Sequence, residues 1–454
     1  MTKHYLSFLL LLSTQLTYSQ PFSAEQTRED LKVLLEGLKT YEAALYHYNP
    51  DFDRQADSIL QDIPESVSVT EHFGLVSRLA ALAHEGHFSM GGWDDVAHTG
   101  FINGNFKYLP MSLRVLDGHL YVWTDASTEG SLSRGDEILA INGRTAAHIL
   151  AHMYRHLPAD GRIVTYRERT LEGAFNWMYY LFVEQPESFE IRCRRMADAA
   201  EQTIAIRAIG RTEMFDNVQK RSANSDKAAE SPKGEQEVYE LTTEGNTAVL
   251  TLRSFNRGLL EQYKIKSGAL YKSVFNRLAS EKTGALIVDL RDNIGGRNEF
   301  ADDMLPYIIP ASQKPGEVYK TTRSWKGDAK EYTTTKRNKR AFEGKIYVLV
   351  NGRTYSAGAT LARYLKEYAG AVVIGEETGT RYEGFVAGSE QSILLPHSGI
   401  RIGVPRYHIE FPKSEKQQTR DRGLLPDYRV SYTIQDRMEK RDLEMQLARK
   451  LIGK

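Results

Sequence analysis

Two runs, residues 285–290, apolar except for Asp289, and residues 346–350, constrain this chain more than any other feature. A strand with one wet face alternates apolar and polar residues. These runs do not alternate, so both of their faces must be covered, as in a parallel sheet with helices on each side. The surrounding sequence supplies the helices. From residue 238 a strand at 247–252 is followed by a helix at 269–280, the strand 285–290, a glycine-rich corner at 293–296 and a helix at 299–309. The strand 346–350, a helix at 356–368 and a strand at 371–374 come next, and 392–395 pairs with 400–404 around Ser398-Gly399 as a hairpin. This rhythm predicts an α/β unit over 238–435, with a C-terminal helix in 436–454.

The rest of the 454 residues reads differently. Residues 20–95 form a helical region. Ser23 with Gln26 makes a capping box, and Leu31, Leu34, Leu35, Leu38 and Leu45 recur at helical spacing until Asn49-Pro50. A second helix begins after Thr70, with Phe73, Val76, Leu79, Ala80 and Ala83 on one face and Gly86 as its stop. Residues 100–207 are short alternating runs broken by Asp117-Gly118, Gly135-Asp136 and Asn142-Gly143, a β-rich module containing a helix near 148–156. Residues 216–237 carry almost no large apolar side chains and read as a flexible linker.

The N-terminus resembles an export signal over 1–19. Lys3 and His4 precede an apolar stretch at 5–12 too short to span a bilayer, and Thr17 and Ser19 suit a cut before Gln20. No cysteine marks a lipid anchor there, so the expected location is periplasmic or extracellular, with no integral membrane segment after removal of the signal. The formal net charge is zero, which supplies no field for nucleic acid. The locally basic stretch 320–340, with eight Lys/Arg against two acids, reads as a solvated face. The lone Cys193 excludes an intrachain disulfide, and its place in an alternating run marks a half-buried strand position.

Chemistry enters at two strand-to-loop corners. In Val348-Leu349-Val350-Asn351-Gly352-Arg353-Thr354-Tyr355-Ser356-Ala357-Gly358, a serine stands where a strand turns into a helix. Free backbone N–H groups and the helix dipole favour negative charge there. The same position is also where Thr354 or Ser356 would cap a helix. In Asp289-Leu290-Arg291-Asp292-Asn293-Ile294-Gly295-Gly296 the paired glycines can aim consecutive N–H groups into one spot. Together with the N–H of Ala357 they would form an oxyanion hole.

The order of these corners, followed by Val372-Val373-Ile374-Gly375-Glu376-Glu377-Thr378-Gly379 and Gly423-Leu424-Leu425-Pro426-Asp427, resembles the C-terminal processing protease and tricorn-like superfamily, peptidase family S41. The segment 135–143 resembles the second half of the PDZ domain these enzymes carry. The resemblance implies a ClpP/crotonase-like core of ββα units, with Ser356 as nucleophile and Gly295, Gly296 and Ala357 as oxyanion donors. It implies no cofactor. It breaks at one point. The best-known branch has a lysine base in Thr-Phe-Gly-Lys-Gly. Here the stretch is Thr378-Gly379-Thr380-Arg381-Tyr382, and arginine cannot serve as a base.

A histidine base is then expected, as in the tricorn-like branch, where a short Asp-Gly-His-like motif follows an N-terminal helix. Glu85-Gly86-His87 matches it, with His87 as general base just past a helix end. His84 lies within the helical pattern and reads as structural. The pair His84/His87 has no further ligands to suggest a metal. The orienting acid is sought late in the chain, at Asp421, with Glu410 and Glu415 as alternatives. The expected activity is that of an exported serine endopeptidase acting on peptide or unfolded protein through an acyl-enzyme. The alternative is a catalytically inactive ligand- or peptide-binding protein on the same scaffold. A crotonase-type acyl-CoA enzyme conflicts with the export signal. In the module, Tyr108-Leu109-Pro110-Met111-Ser112-Leu113 replaces the glycine-rich carboxylate loop of a peptide-docking PDZ domain, so a gating or structural role competes with docking of chain termini.

Overall fold

The computed structural model describes residues 21–90, 106–222, 232–312, 317–323, 329–333, 336–417 and 419–453. The expected signal at 1–19 lies outside them, as does part of the basic stretch 320–340.

The two apolar runs form the centre of a six-stranded sheet. Tyr239–Glu244 and Thr247–Leu252 pair antiparallel; Ala285–Asp289, Lys345–Val350, Val372–Gly375 and Tyr428–Arg429 follow in parallel. Every residue of Ala285–Asp289 is buried. The reason is visible in the alternation. Leu286 and Val288 face a core shared with the helices Ser267–Ser280 and Ala357–Ala369, while Ile287, Tyr347 and Leu349 face the C-terminal helix Leu443–Ile452. The expected helix over 299–309 is two short ones, Glu299–Asp302 and Leu305–Ile308. Pro306 explains the split, because it has no N–H to continue a helix and is tolerated only in a first turn.

A second sheet contains Glu317–Arg323, Ala329–Thr333, Gly384–Leu394 and Arg401–Glu410. The expected hairpin at 392–404 is the tip of the last two strands. The short strand Ser89–Met90 joins this sheet by pairing with Ile402 and Gly403. Behind it the helices Ala24–Tyr41, Phe52–Gln61 and Val69–Ala81 share one core with Ile393, Leu395, Ile400 and Ile402. The residues between Ala81 and Ser89 are therefore held from both sides, by a helix end and by a sheet.

Residues 111–207 build a third sheet around their own core, with the strands Met111–Leu116, His119–Asp125, Glu137–Ile141, Ser188–Arg194 and Glu201–Arg207 in spatial order. Cys193 lies buried in that core. The stretch expected as a linker begins inside a helix, Arg211–Ser222. Few apolar residues announce this helix. It is tied down by polar contacts instead, from Asn217 to the Ala126 carbonyl at 3.1 Å and from Arg221 to the Asp125 carbonyl at 2.6 Å.

Between this unit and the N-terminal helices sits His156, 5% exposed. Its Nδ1 donates to the Gly74 carbonyl at 3.1 Å, and its ring stacks on Phe182 at 4.3 Å. Burial, with the neighbouring His152, pushes its pKa down to about 3. The folded value lies below the unfolded one near 6.5, so between these pH values the unfolded chain binds a proton that the folded chain refuses. Stability contributed by neutral His156 should be complete above about pH 6.5 and decline as pH falls toward 3. Urea denaturation at pH 7 and pH 5 should show this decline, and His156→Gln should flatten it. An unchanged pH slope in that variant would contradict the assignment.

Candidate active site

Ser356 stands at the N-terminus of the helix Ala357–Ala369 with φ 52° and ψ −126°, a backbone conformation costly for a residue with a Cβ. Its side chain makes no capping hydrogen bond. The hydroxyl of Thr354 is committed elsewhere. It donates to the Leu290 carbonyl at 2.8 Å and accepts from the Asn351 N–H at 3.0 Å. Neither residue therefore caps the helix. The strained conformation is held by the Ser356 N–H, which donates to Thr380 Oγ1 at 2.6 Å, and by the neighbouring Tyr355 N–H, which donates to the Asn293 carbonyl at 2.9 Å.

The Asn293 bond stitches the serine corner to the glycine corner. Gly295 at φ 84° approaches so closely that a Cβ there would lie 2.7 Å from Ser356 Cβ and 2.7 Å from Ala357 N. Gly296, at φ 134°, has equally little room, because a Cβ would meet the Phe255 carbonyl at 2.0 Å. The donors divide in a way the sequence does not reveal. Gly295 N–H is consumed internally, donating to Asn293 Oδ1 at 2.8 Å. The N–H groups of Gly296 and Ala357 have no acceptor among the described residues. Gly295 thus supplies close approach, while Gly296 and Ala357 supply free donors.

His87 lies against Tyr355, the residue that precedes this serine. Its ring stacks on Tyr355 at 4.6 Å and on Phe385 at 5.1 Å. Nδ1 is 2.9 Å from Glu85 Oε1 and 2.9 Å from the Tyr355 hydroxyl. Nε2 is buried and has no hydrogen-bond partner among the described residues. Glu85 is fully buried. Its Oε1 also accepts from the Gly86 N–H at 2.9 Å and the His87 N–H at 3.2 Å, and its Oε2 from the Val386 N–H at 2.7 Å. Burial alone would raise its pKa. The His87 hydrogen bond and charge, the Asp160 hydrogen bond and the Arg381 charge outweigh burial and hold it at about 2. A carboxylate that stays ionised accepts the Nδ1 proton and leaves Nε2 as a bare lone pair.

Arg381, at the position that the lysine occupies in the lysine-dependent motif, is buried. Its guanidinium covers the Tyr48 ring at 3.5 Å, and it pairs with Asp421 at 3.3 Å and Glu85 at 3.7 Å. Asp421 therefore partners Arg381 and is not the carboxylate on His87; that position belongs to Glu85, two residues before the histidine. Glu410 and Glu415 make no contact with His87 either. His84, expected within the helical pattern, lies beyond the helix end at φ 53°. Its carbonyl accepts from the Gly161 N–H at 2.9 Å and from Arg381. The preceding helix ends at Ala81, so His87 lies in the turn between that helix and the strand Ser89–Met90.

Glu85, His87 and Asp160 bring one ligand atom each within 4.8 Å of one another, the spacing of a metal cluster. Here the carboxylate oxygens already face N–H donors: Asp160 accepts from the Gly86 N–H at 2.7 Å and from the Arg381 N–H at 2.9 Å. The nearby positive charge is the Arg381 guanidinium.

Residues 246–430 match the family model of peptidase family S41. That segment belongs to peptidase family S41. It is accordingly a serine-type peptidase, with peptides or proteins as the implied substrate class. The fold is similar to that of mature CPAF in complex with lactacystin, at 15% identity over 95% of this chain and 98% of that one, with a TM-score of 0.64. Mature CPAF shows the same likeness at 14% identity, 91% and 94% coverage and a TM-score of 0.60. No curated protein matches the sequence. Among the described residues no helix is long and apolar enough to cross a membrane.

Gly86 is a sensitive point of this S41 site. A Cβ there would stand 2.5 Å from the Tyr355 hydroxyl and 3.1 Å from Asp160 Oδ1. Gly86→Ala should leave the far-ultraviolet circular dichroism unchanged while cutting hydrolysis of fluorescein-labelled casein at least about tenfold, because displaced groups lose reactive alignment. Full casein hydrolysis in that variant would show that the hydroxyl can move freely.

Proposed function

We propose that this chain is an exported endopeptidase in which Ser356 is the nucleophile, His87 its general base and Glu85 the orienting carboxylate. The observation that carries this reading is the state of His87. Its Nδ1 is bound by an ionised buried carboxylate, its ring is clamped against the residue preceding Ser356, and its Nε2 lone pair is unused. A base needs that arrangement, with one nitrogen fixed and the other free to take a proton.

In the proposed reaction Ser356 Oγ attacks the peptide carbonyl as its proton passes to His87 Nε2. The oxyanion is received by the free N–H groups of Gly296 and Ala357, with Gly295 making room. His87 then gives the proton to the leaving amine, and water hydrolyses the acyl-enzyme by the same route. The new imidazolium is stabilised by Glu85. Arg381 is a counter-ion in this scheme, which supports a place in the tricorn-like branch, without the lysine. The β-rich unit and the six-stranded sheet support the PDZ-like and ClpP/crotonase-like assignments. Export rests on the composition of residues 1–19.

A fluorophosphonate probe should label wild-type protein at Ser356, and Ser356→Ala should abolish both labelling and casein hydrolysis without unfolding. Glu85→Gln should keep the fold but slow labelling on the order of 10²–10⁴-fold, since the histidine loses its orienting charge. A wild type that never labels would instead favour an inactive binding protein on this scaffold.

A further inference from the structure

Asp160 belongs to none of the elements that carry Ser356, His87 or the glycine corner. It sits in the loop after the helix Ala146–Tyr154 of the β-rich unit, yet it is fully buried behind the catalytic histidine. The loop is fastened on both sides. Gly161 N–H donates to the His84 carbonyl at 2.9 Å, and Arg162 N–H donates to the Asp421 carbonyl at 2.9 Å. Gly161 at φ 50° leaves no room for a side chain, because a Cβ would lie 2.7 Å from the Asp421 carbonyl oxygen. Asp160 then reaches three groups at once: the Gly86 N–H at 2.7 Å, the Arg381 N–H at 2.9 Å and the side chain of Glu85. Six residues further on, Tyr166 stacks on Tyr355 at 4.6 Å, next to Ser356.

We propose that Asp160 is a positioning residue for the peptidase reaction, supplied by the β-rich unit, which fixes the backbone of Gly86 and the carboxylate of Glu85 behind His87. The proposal rests on the Ser356–His87 reading above.

Two adjacent buried carboxyls cannot both carry charge. Burial, and after it the charge of Glu85, pushes the Asp160 pKa well above the ordinary carboxylate range. Glu85 is the member held ionised, by His87 and Arg381. Asp160 therefore keeps its proton and donates it in a hydrogen bond to Glu85, while its oxygens still accept from the two backbone N–H groups. Other titratable groups facing the pair are Tyr355 from the serine corner, Tyr166 and Arg167 from the β-rich unit, Tyr48 and Glu42 from the N-terminal helices, and His408 from the strand Arg401–Glu410. Neutral Asp160 tempers the negative charge that Glu85 presents to His87. Removing it should strengthen the pull of Glu85 on the imidazolium, so that His87 holds its proton to higher pH.

The test is the rate of fluorophosphonate labelling of Ser356 in the full chain across pH, separated into kinact and KI. Asp160→Ala should lower kinact at least about tenfold through lost alignment, leave KI unchanged and move the acidic limb of the profile to higher pH. Asp160→Asn keeps a neutral donor but loses one acceptor. It should lower kinact only about threefold, with the limb unmoved. If Asp160→Ala does not fold, the Asn variant decides on kinact alone. Wild-type kinact in either variant, a loss carried by KI, or a slower Asp160→Ala with an unmoved limb would overturn the proposal. A wild type that does not react at all would overturn the Ser356–His87 reading with it, which separates the two failures.

Discussion

The arrangement around Ser356 depends on one buried charge pair. Glu85 is removed from water entirely, and an isolated carboxylate there would take up a proton. The guanidinium of Arg381, 3.7 Å away and equally buried, supplies the opposing charge, helped by the N–H donors of Gly86, His87 and Val386. The His87 hydrogen bond and the Asp160 hydrogen bond act in the same direction as that charge, and if Glu85 were neutral it would no longer compel the proton onto Nδ1. The His87 tautomer would be lost, and with it the free lone pair on Nε2. A buried pair of this kind contributes little net stability, since desolvation cancels much of its attraction. Its value lies in fixing one protonation state at one place.

This pair also gives physical sense to the residue that breaks the resemblance to the lysine-dependent branch. Arginine remains charged under all conditions in which the protein folds, so it cannot take a proton from serine. The same permanence makes it a reliable counter-ion. In the proposed mechanism the function of base and the function of positive charge, which a lysine would have to alternate between, are divided between His87 and Arg381. The loop carrying Asp160 and Tyr166 reaches the same place, Asp160 at the N–H groups of Gly86 and Arg381 and Tyr166 on the Tyr355 ring. The β-rich unit is thus built into the site as well as appended to it. Excising residues 100–207 would remove Asp160 and Tyr166 together with any docking surface, so loss of activity in such a deletion would not report on docking.

Much of the fold was legible because its signals are local. Unbroken apolar strands announce a covered sheet, and Ser23 and Gln26 make the capping box that the sequence suggested. Ser356, Gly295, Gly296, Ala357 and His87 could be proposed from the sequence because each stands in a short motif. What stayed hidden is what depends on distant packing. Whether Gly295 or Gly296 keeps a free N–H is decided by the Asn293 side chain. Asp160 comes from an unremarkable loop that only the tertiary structure brings to the site. Glu85 is a different lesson. It was already part of the motif that pointed to His87, and a two-residue spacing in a turn lets a side chain reach its neighbour's ring. Asp421, near the end of the chain, pairs with Arg381 instead.

The most direct test of the central claim is a crystal structure of the protein with Ser356 covalently phosphonylated. The account predicts the phosphonyl oxygen within about 3 Å of the N–H groups of Gly296 and Ala357, and His87 Nε2 within hydrogen-bond reach of Ser356 Oγ, about 3 Å. It also predicts that Nδ1 stays on Glu85. An adduct with Nε2 more than about 6 Å from Oγ, or with its oxygen turned away from the glycine corner, would contradict it.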